Sequence, residues 1–147
     1  MTTTRALGVD LGSKRIGLAL SDPGRRIASP HDVLQRAGDE AKDHERILAA
    51  AQEAEARTIV VGLPLSLSGK TGPAAKAALA EIARLRAVAE PKGVDVVAFD
   101  ERLTTITAER SLQEARMTRD ARKRVVDKVA AAVMLQSWLD GERNACR

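Results

Sequence analysis

The first 22 residues alternate between apolar and polar blocks. Ala6–Val9 and Ile16–Leu20 are apolar runs, and Gly12-Ser13-Lys14-Arg15 is a short polar turn between them. Gly12 accepts positive φ at no steric cost, so the pattern predicts a tight hairpin of two neighbouring antiparallel strands. A third strand is predicted over Arg26–Leu34, where Pro30 makes it an edge strand or a broken one. Gly38 to Arg57 reads as an amphipathic helix with an apolar stripe of Ile47, Leu48 and Ala51. Thr58–Leu63 is short, apolar and β-branched, as expected of a strand covered on both faces. After the polar loop 64–73, a helix is predicted near Ala74–Ala89, striped by Ala78, Leu79, Ile82 and Leu85 and stopped by Pro91-Lys92-Gly93. Val94–Phe99 is the next buried strand. Thr104–Ala115 and Ala121–Leu139 read as two closing helices joined by a basic segment. The order β-β-β-α-β-α-β-α describes an α/β fold, a mixed five-stranded sheet with helices on both faces. The 147 residues suit a single domain, 1–147, with its core over about 5–140.

Composition narrows the classes. Hydrophobic residues at 44% and charged ones at 30% are ordinary for a soluble globular protein, and no apolar run approaches the roughly 18 residues of a membrane span. The opening M-T-T-T-R-A lacks the apolar region of a signal peptide. The single cysteine, Cys146, lies in a polar tail, so a reducing, cytoplasmic location is expected. One cysteine and two separated histidines, His31 and His44, argue against zinc. A bound metal would be a hard ion held by carboxylates, Mg²⁺ or Mn²⁺.

The net charge is +4, and its distribution says more than its size. From Arg102 to Lys128 there are eight basic residues against four acids, so the whole excess lies in this span. A local basic stretch is the footprint of a nucleic-acid partner, although a solvated helix face would carry the same charges. The chain has one Phe, one Trp and no Tyr, so the usual platform for stacking unpaired bases is absent. Recognition is expected to rest on backbone charge and shape.

Three carboxylate signals stand out. Asp10 ends the first strand, where a buried carboxylate is costly unless it is paired, hydrogen-bonded in the turn or bound to a metal. Asp100-Glu101 ends a buried strand at the edge where open α/β sheets bind ligands. Adjacent strand residues point to opposite faces, so only one of that pair can look at Asp10, and a salt bridge to Arg102 is the structural alternative. Asp127 lies about two turns into the last helix if Asp120 caps it. Ala130 and Ala131 on its face would let that helix approach the sheet closely; a surface pairing with Lys123 or Arg124 is the alternative. Together the three acids could form one cluster, of the kind that two-metal phosphoryl chemistry needs. The loop Pro64–Thr71 resembles a P-loop in its Gly69-Lys70-Thr71 ending, but proline replaces its first glycine and removes a phosphate-binding N–H. The loop is better read as flanking the active site, with Lys70 able to reach a phosphate.

Four ordered stretches, G-V-D-L-G-S-K-R-I-G-L-A-L-S-D, V-V-G-L-P-L-S-L-S-G, D-E-R-L-T-T and D-K-V-A-A-A-V-M-L-Q-S-W-L-D, resemble the YqgF-type family over about Ala6 to Asp140. These are Holliday-junction-resolvase-like nucleases assigned to processing the 5′ end of precursor 16S ribosomal RNA. The resemblance implies a ribonuclease-H-like fold and a metal-dependent phosphodiester hydrolase. It places the metal-binding and catalytic acids at Asp10, Glu101 (with Asp100 as the alternate) and Asp127. The candidate nucleic-acid contacts are Lys14, Arg15, Lys70, Arg102, Arg116, Arg119, Arg122, Lys123 and Arg124. The expected partner is precursor rRNA or branched DNA, with no membrane, and the expected state is a monomer or homodimer. Leu11 stands where the family usually has an aromatic residue. Gly62-Leu63-Pro64 stands where RuvC-type resolvases keep an acid. Two readings from other classes are a non-cleaving nucleic-acid-binding module of the same fold and the phosphate-binding hairpin of actin-like ATPases and sugar kinases. The latter need two such domains, for which this chain is too short.

Overall fold

The structure is a computed structural model, and the residues it describes are 4–63, 72–100 and 119–145. The hairpin forms as its apolar blocks predict: β1 (Arg5–Leu11) and β2 (Arg15–Ser21) pair antiparallel, with Asp10 opposite Gly17. β3 (Ala28–Gln35) extends the sheet antiparallel to β2 as an edge strand. Its ladder slips between Leu18 and Ala19, which face Asp32 and Pro30; proline at an edge bulge leaves no central ladder bond unmade.

Helix α1 (Glu40–Glu53) starts at Asp39, whose carboxylate accepts the Ala41 N–H at 3.0 Å. It ends four residues before the predicted Arg57. Ala54 and Glu55 turn the chain, with Glu55 at φ 59°, because Ala56 is already buried as the first residue of β4 (Ala56–Leu63). α2 (Pro73–Ala89) has proline in its first turn, where a missing N–H costs nothing. A short 3₁₀ turn, Glu90–Lys92, and Gly93 at φ 78° lead into β5 (Asp95–Asp100). α3 (Arg119–Ala145) closes the described chain. It includes Asp120, so that residue lies within the helix and not ahead of it. The predicted helix Thr104–Ala115 lies outside the described residues.

The sheet order is β3-β2-β1-β4-β5, with β1, β4 and β5 parallel. Strand pleating sorts the side chains to two faces. Leu7, Val9, Ile16, Leu18, Ile59, Val61 and Val96 pack against Ile47, Leu48 and Ala51 of α1 and Ile82 and Leu85 of α2. On the other face Ala6, Ala19 and Val60 meet Ala131, Met134, Leu135, Trp138 and Leu139 of α3. The fold class expected from the sequence, a mixed five-stranded sheet covered on both faces, is the one observed.

Candidate active site

Asp10 sits one residue before the C-terminal end of β1 and is half-buried. The pleat places it on the α3 face, in line with Ala6 and Gly8. Gly17 faces it from β2, and one step beyond the Val9–Val61 pair brings Gly62 to its other side. Both cross-strand neighbours therefore lack a side chain that could compete for the space beside the carboxylate. Gly62 pairs in turn with Phe99, so Phe99 shares this face, and Phe99 packs against the α3 cluster. Position 100 is in register with Leu63, which packs with the α1–α2 core on the opposite face. Glu101 lies outside the described residues.

The approach of α3 is set by the smallest residues available. A Cβ added at Gly8 would lie 2.9 Å from Leu135 Cβ and 3.2 Å from the Ala131 carbonyl oxygen, so the helix rests directly on the glycine backbone. Ala131, singled out in the sequence for close approach, is fully buried there. The later half of α3 is tied to the other end of the sheet. Gln136 Nε2–H donates to the Arg26 carbonyl at 2.8 Å, and Gln136 Oε1 accepts the Ala28 N–H at 2.8 Å. Trp138 lies 5.8 Å from the guanidinium of Arg25, whose Nε–H donates to the Thr4 carbonyl. The helix thus runs from the Asp10 end of β1 toward its Arg5 end. Position 127 is one turn, about 6 Å, before Ala131, and Asp10 is about 6.6 Å beyond Gly8, so the backbone brings the two to the same end of the sheet.

Of the basic candidates, Lys14 and Arg15 belong to the turn that follows the Asp10 strand, and Arg119, Arg122, Lys123 and Arg124 lie on the first two turns of α3. Lys70, Arg102 and Arg116 lie outside the described residues, as does the P-loop-like segment.

A second polar cluster was not anticipated. Glu40, His44 and Glu81 offer ligand atoms within 4.8 Å of one another. Guanidinium groups already occupy both carboxylates: Arg36 holds Glu81 at 2.8 and 3.1 Å, and Arg84 pairs with Glu40. Burial pushes the Glu81 carboxyl up, but hydrogen bonds from Arg36 and His44 outweigh it and hold Glu81 below its ordinary range. An ionised Glu81 only accepts, so the His44 Nε2 atom 2.9 Å away carries the proton. The charges are met within the protein, and the cluster behaves as a hydrogen-bonded brace between α1 and α2. No spacing in the sequence announces it, because Arg36, His44 and Glu81 come from three separate elements.

A mixed sheet of this order, with helices on both faces, has the architecture of a ribonuclease-H-like α/β domain. Solved structures agree on the fold. RuvC of T. thermophilus in complex with a Holliday junction substrate superposes with a TM-score of 0.58 at 15% identity, covering 95% of this chain and 96% of that one. The yeast mitochondrial Holliday junction resolvase Ydc2 gives 0.50 at 11% identity, covering 99% and 86%. A model of the RuvX family, described as Holliday junction resolvase, matches residues 4–141, and the chain belongs to that family. Among curated relatives, the Syntrophomonas wolfei protein named "Putative pre-16S rRNA nuclease" is 44% identical over 137 residues, covering 93% of this chain and 94% of its own. Proteins of the same name from Clostridium botulinum and Rhodococcus opacus are each 42% identical, over 136 and 139 residues. They cover 92% of this chain in both cases, and 96% and 77% of their own.

Proposed function

We propose that this protein is a metal-dependent nuclease that hydrolyses phosphodiester bonds in structured RNA, trimming the 5′ end of precursor 16S rRNA. The observation that carries this reading is the convergence, in a RuvX-family chain, of Asp10 and the backbone of α3 at position 127 on one end of the sheet. Asp10, Glu101 and Asp127 are the residues assigned to hold Mg²⁺ or Mn²⁺. The ladder register supports Glu101 over Asp100, since position 100 belongs to the face that packs on α1 and α2. The donor set fits a hard cation: carboxylate oxygens, with glycines on both strands beside Asp10. Bound there, such ions activate a water and stabilise the leaving oxygen of a phosphodiester. The chain's own part is to hold the acids at fixed spacing and to bind the backbone through Lys14, Arg15 and the basic start of α3. Among the described residues no helix is long and apolar enough to cross a membrane.

The second reading is resolution of branched DNA, favoured by the description of the family and by the RuvC-like fold. Against it, Gly62-Leu63 ends the fourth strand where RuvC-type resolvases keep an acid. Purified protein with Mn²⁺, offered a 5′-extended 16S precursor and a four-way DNA junction side by side, separates the two. Trimming of the precursor with the junction left intact is expected. Resolution of the junction alone would replace the reading, and binding without cleavage of either would make the protein a non-cleaving module.

A further inference from the structure

Arg36 follows β3 directly and reaches in two directions. Its backbone N–H donates to the Lys14 carbonyl at 2.9 Å, and its side-chain Nε–H donates to the Gly12 carbonyl at 2.8 Å. One residue therefore holds two carbonyls of the four-residue turn that follows Asp10-Leu11. The turn also closes on itself through the Gly12 N–H to the Arg15 carbonyl, at 2.9 Å. The far end of the same guanidinium is fixed independently. Nη1 and Nη2 grip Glu81 of α2 as a two-pronged pair, and Nη1 lies 3.5 Å from Asp43 of α1. Glu81 is braced by His44, and Asp43 by the Ala37 N–H at 2.9 Å.

The geometry points to Arg36 as a positioning residue for the nuclease reaction, transmitting the rigidity of α1 and α2 to the turn that follows the Asp10 strand and carries Lys14 and Arg15. Stapling the two helices would require only the Glu81 and Asp43 contacts of Nη1 and Nη2. The bond from Nε to Gly12 is a separate donor aimed at the hairpin, and only a rigid fork can serve both ends at once. Functional groups work within about 0.5 Å of their productive geometry, and side chains that orient them from behind typically matter by about 10–100-fold. Glu40 and Arg84 form the outer part of the brace and do not reach the turn.

The effect on turnover rests on the nuclease reading; the hold on the turn does not. Arg36→Lys keeps the charge facing Glu81 but cannot also reach Gly12. It should keep its melting temperature within a few degrees and its KM within about threefold, while kcat falls about tenfold or more. Amide exchange at Gly12 should quicken in this variant and stay unchanged in Arg84→Ala, whose kcat should match wild type. If Arg36→Lys fails to fold, Arg36→Met with Glu81→Leu removes both charges together and must show the same fall in kcat and the same faster exchange. Unchanged kcat in a folded Arg36 variant, an equal loss in Arg84→Ala, or unchanged Gly12 exchange would each overturn the assignment. Should wild type cleave neither substrate, the nuclease reading fails, and Gly12 exchange alone decides whether Arg36 holds the turn.

Discussion

Gly8→Ala tests whether α3 is seated by contact with the β1 backbone. The new Cβ would stand 2.9 Å from Leu135 Cβ and 3.2 Å from the Ala131 carbonyl oxygen. Non-bonded carbons rest at about 3.5–4.0 Å, so the methyl overlaps its neighbour by roughly 0.6–1 Å. Neither obstructing atom is the free end of a flexible chain: one is a Cβ and the other is helix backbone. The helix must therefore lift or slide. Overpacking of this kind costs about 1–3 kcal/mol, and at this chain length each kcal/mol lowers Tm by about 2–4 °C. Calorimetry should register a fall of about 2–12 °C. The same displacement separates position 127 from Asp10, and a misplacement near 1 Å can cost about 100-fold in rate. Cleavage by folded Gly8→Ala protein, assayed well below its Tm, should drop by a larger factor than its unfolded fraction explains. A variant with the wild-type Tm and rate would refute the seating of α3 on Gly8.

Two further outcomes follow from the charges. Glu81 is held below its ordinary value near 4.5 in the folded protein, so its contribution is fully present above that range and is lost as pH falls through the lowered value. Glu81→Gln should cost about 1–3 kcal/mol at neutral pH in urea titrations and should flatten the acid limb of the stability profile; an identical acid limb in both proteins would contradict the sign. Replacing Arg122, Lys123 and Arg124 by alanine should weaken RNA binding and reduce the slope of log K against log salt by roughly 0.7–0.9 per lost phosphate contact. Unchanged slope and affinity would show these residues to be a solvated surface.

The hairpin and the buried β4 are legible because their strands are apolar runs bounded by turns, and the edge position of the largely polar β3 is legible from Pro30. The end of α1 is not. Residues 54–57 keep a helical composition, and only the burial of Ala56 in the core shows that the strand has begun. Ala131 was readable as a small residue on the Asp127 face, but its counterpart Gly8 was not, because a glycine inside an apolar run gives no sign of what lies above it. The same holds for Gly17 and Gly62, whose placement beside Asp10 depends on register. The choice between Asp100 and Glu101 is left open by alternation alone; the β4–β5 ladder sets position 100 in register with Leu63, and Glu101 lies outside the described residues. Arg36 was invisible for a plainer reason: its partners lie 24 and 45 residues away, at Gly12 and Glu81, and no periodicity links them.

In the proposed function Asp10 acts through its charge at a metal-holding edge and not through packing. The most direct measurement compares wild type and Asp10→Asn for cleavage of the 5′-extended precursor across a Mn²⁺ titration, with Tm recorded for both. Wild type should cleave in a Mn²⁺-dependent manner and Asp10→Asn should not cleave at all, at closely similar Tm. Equal cleavage by the two proteins at saturating Mn²⁺ would contradict it.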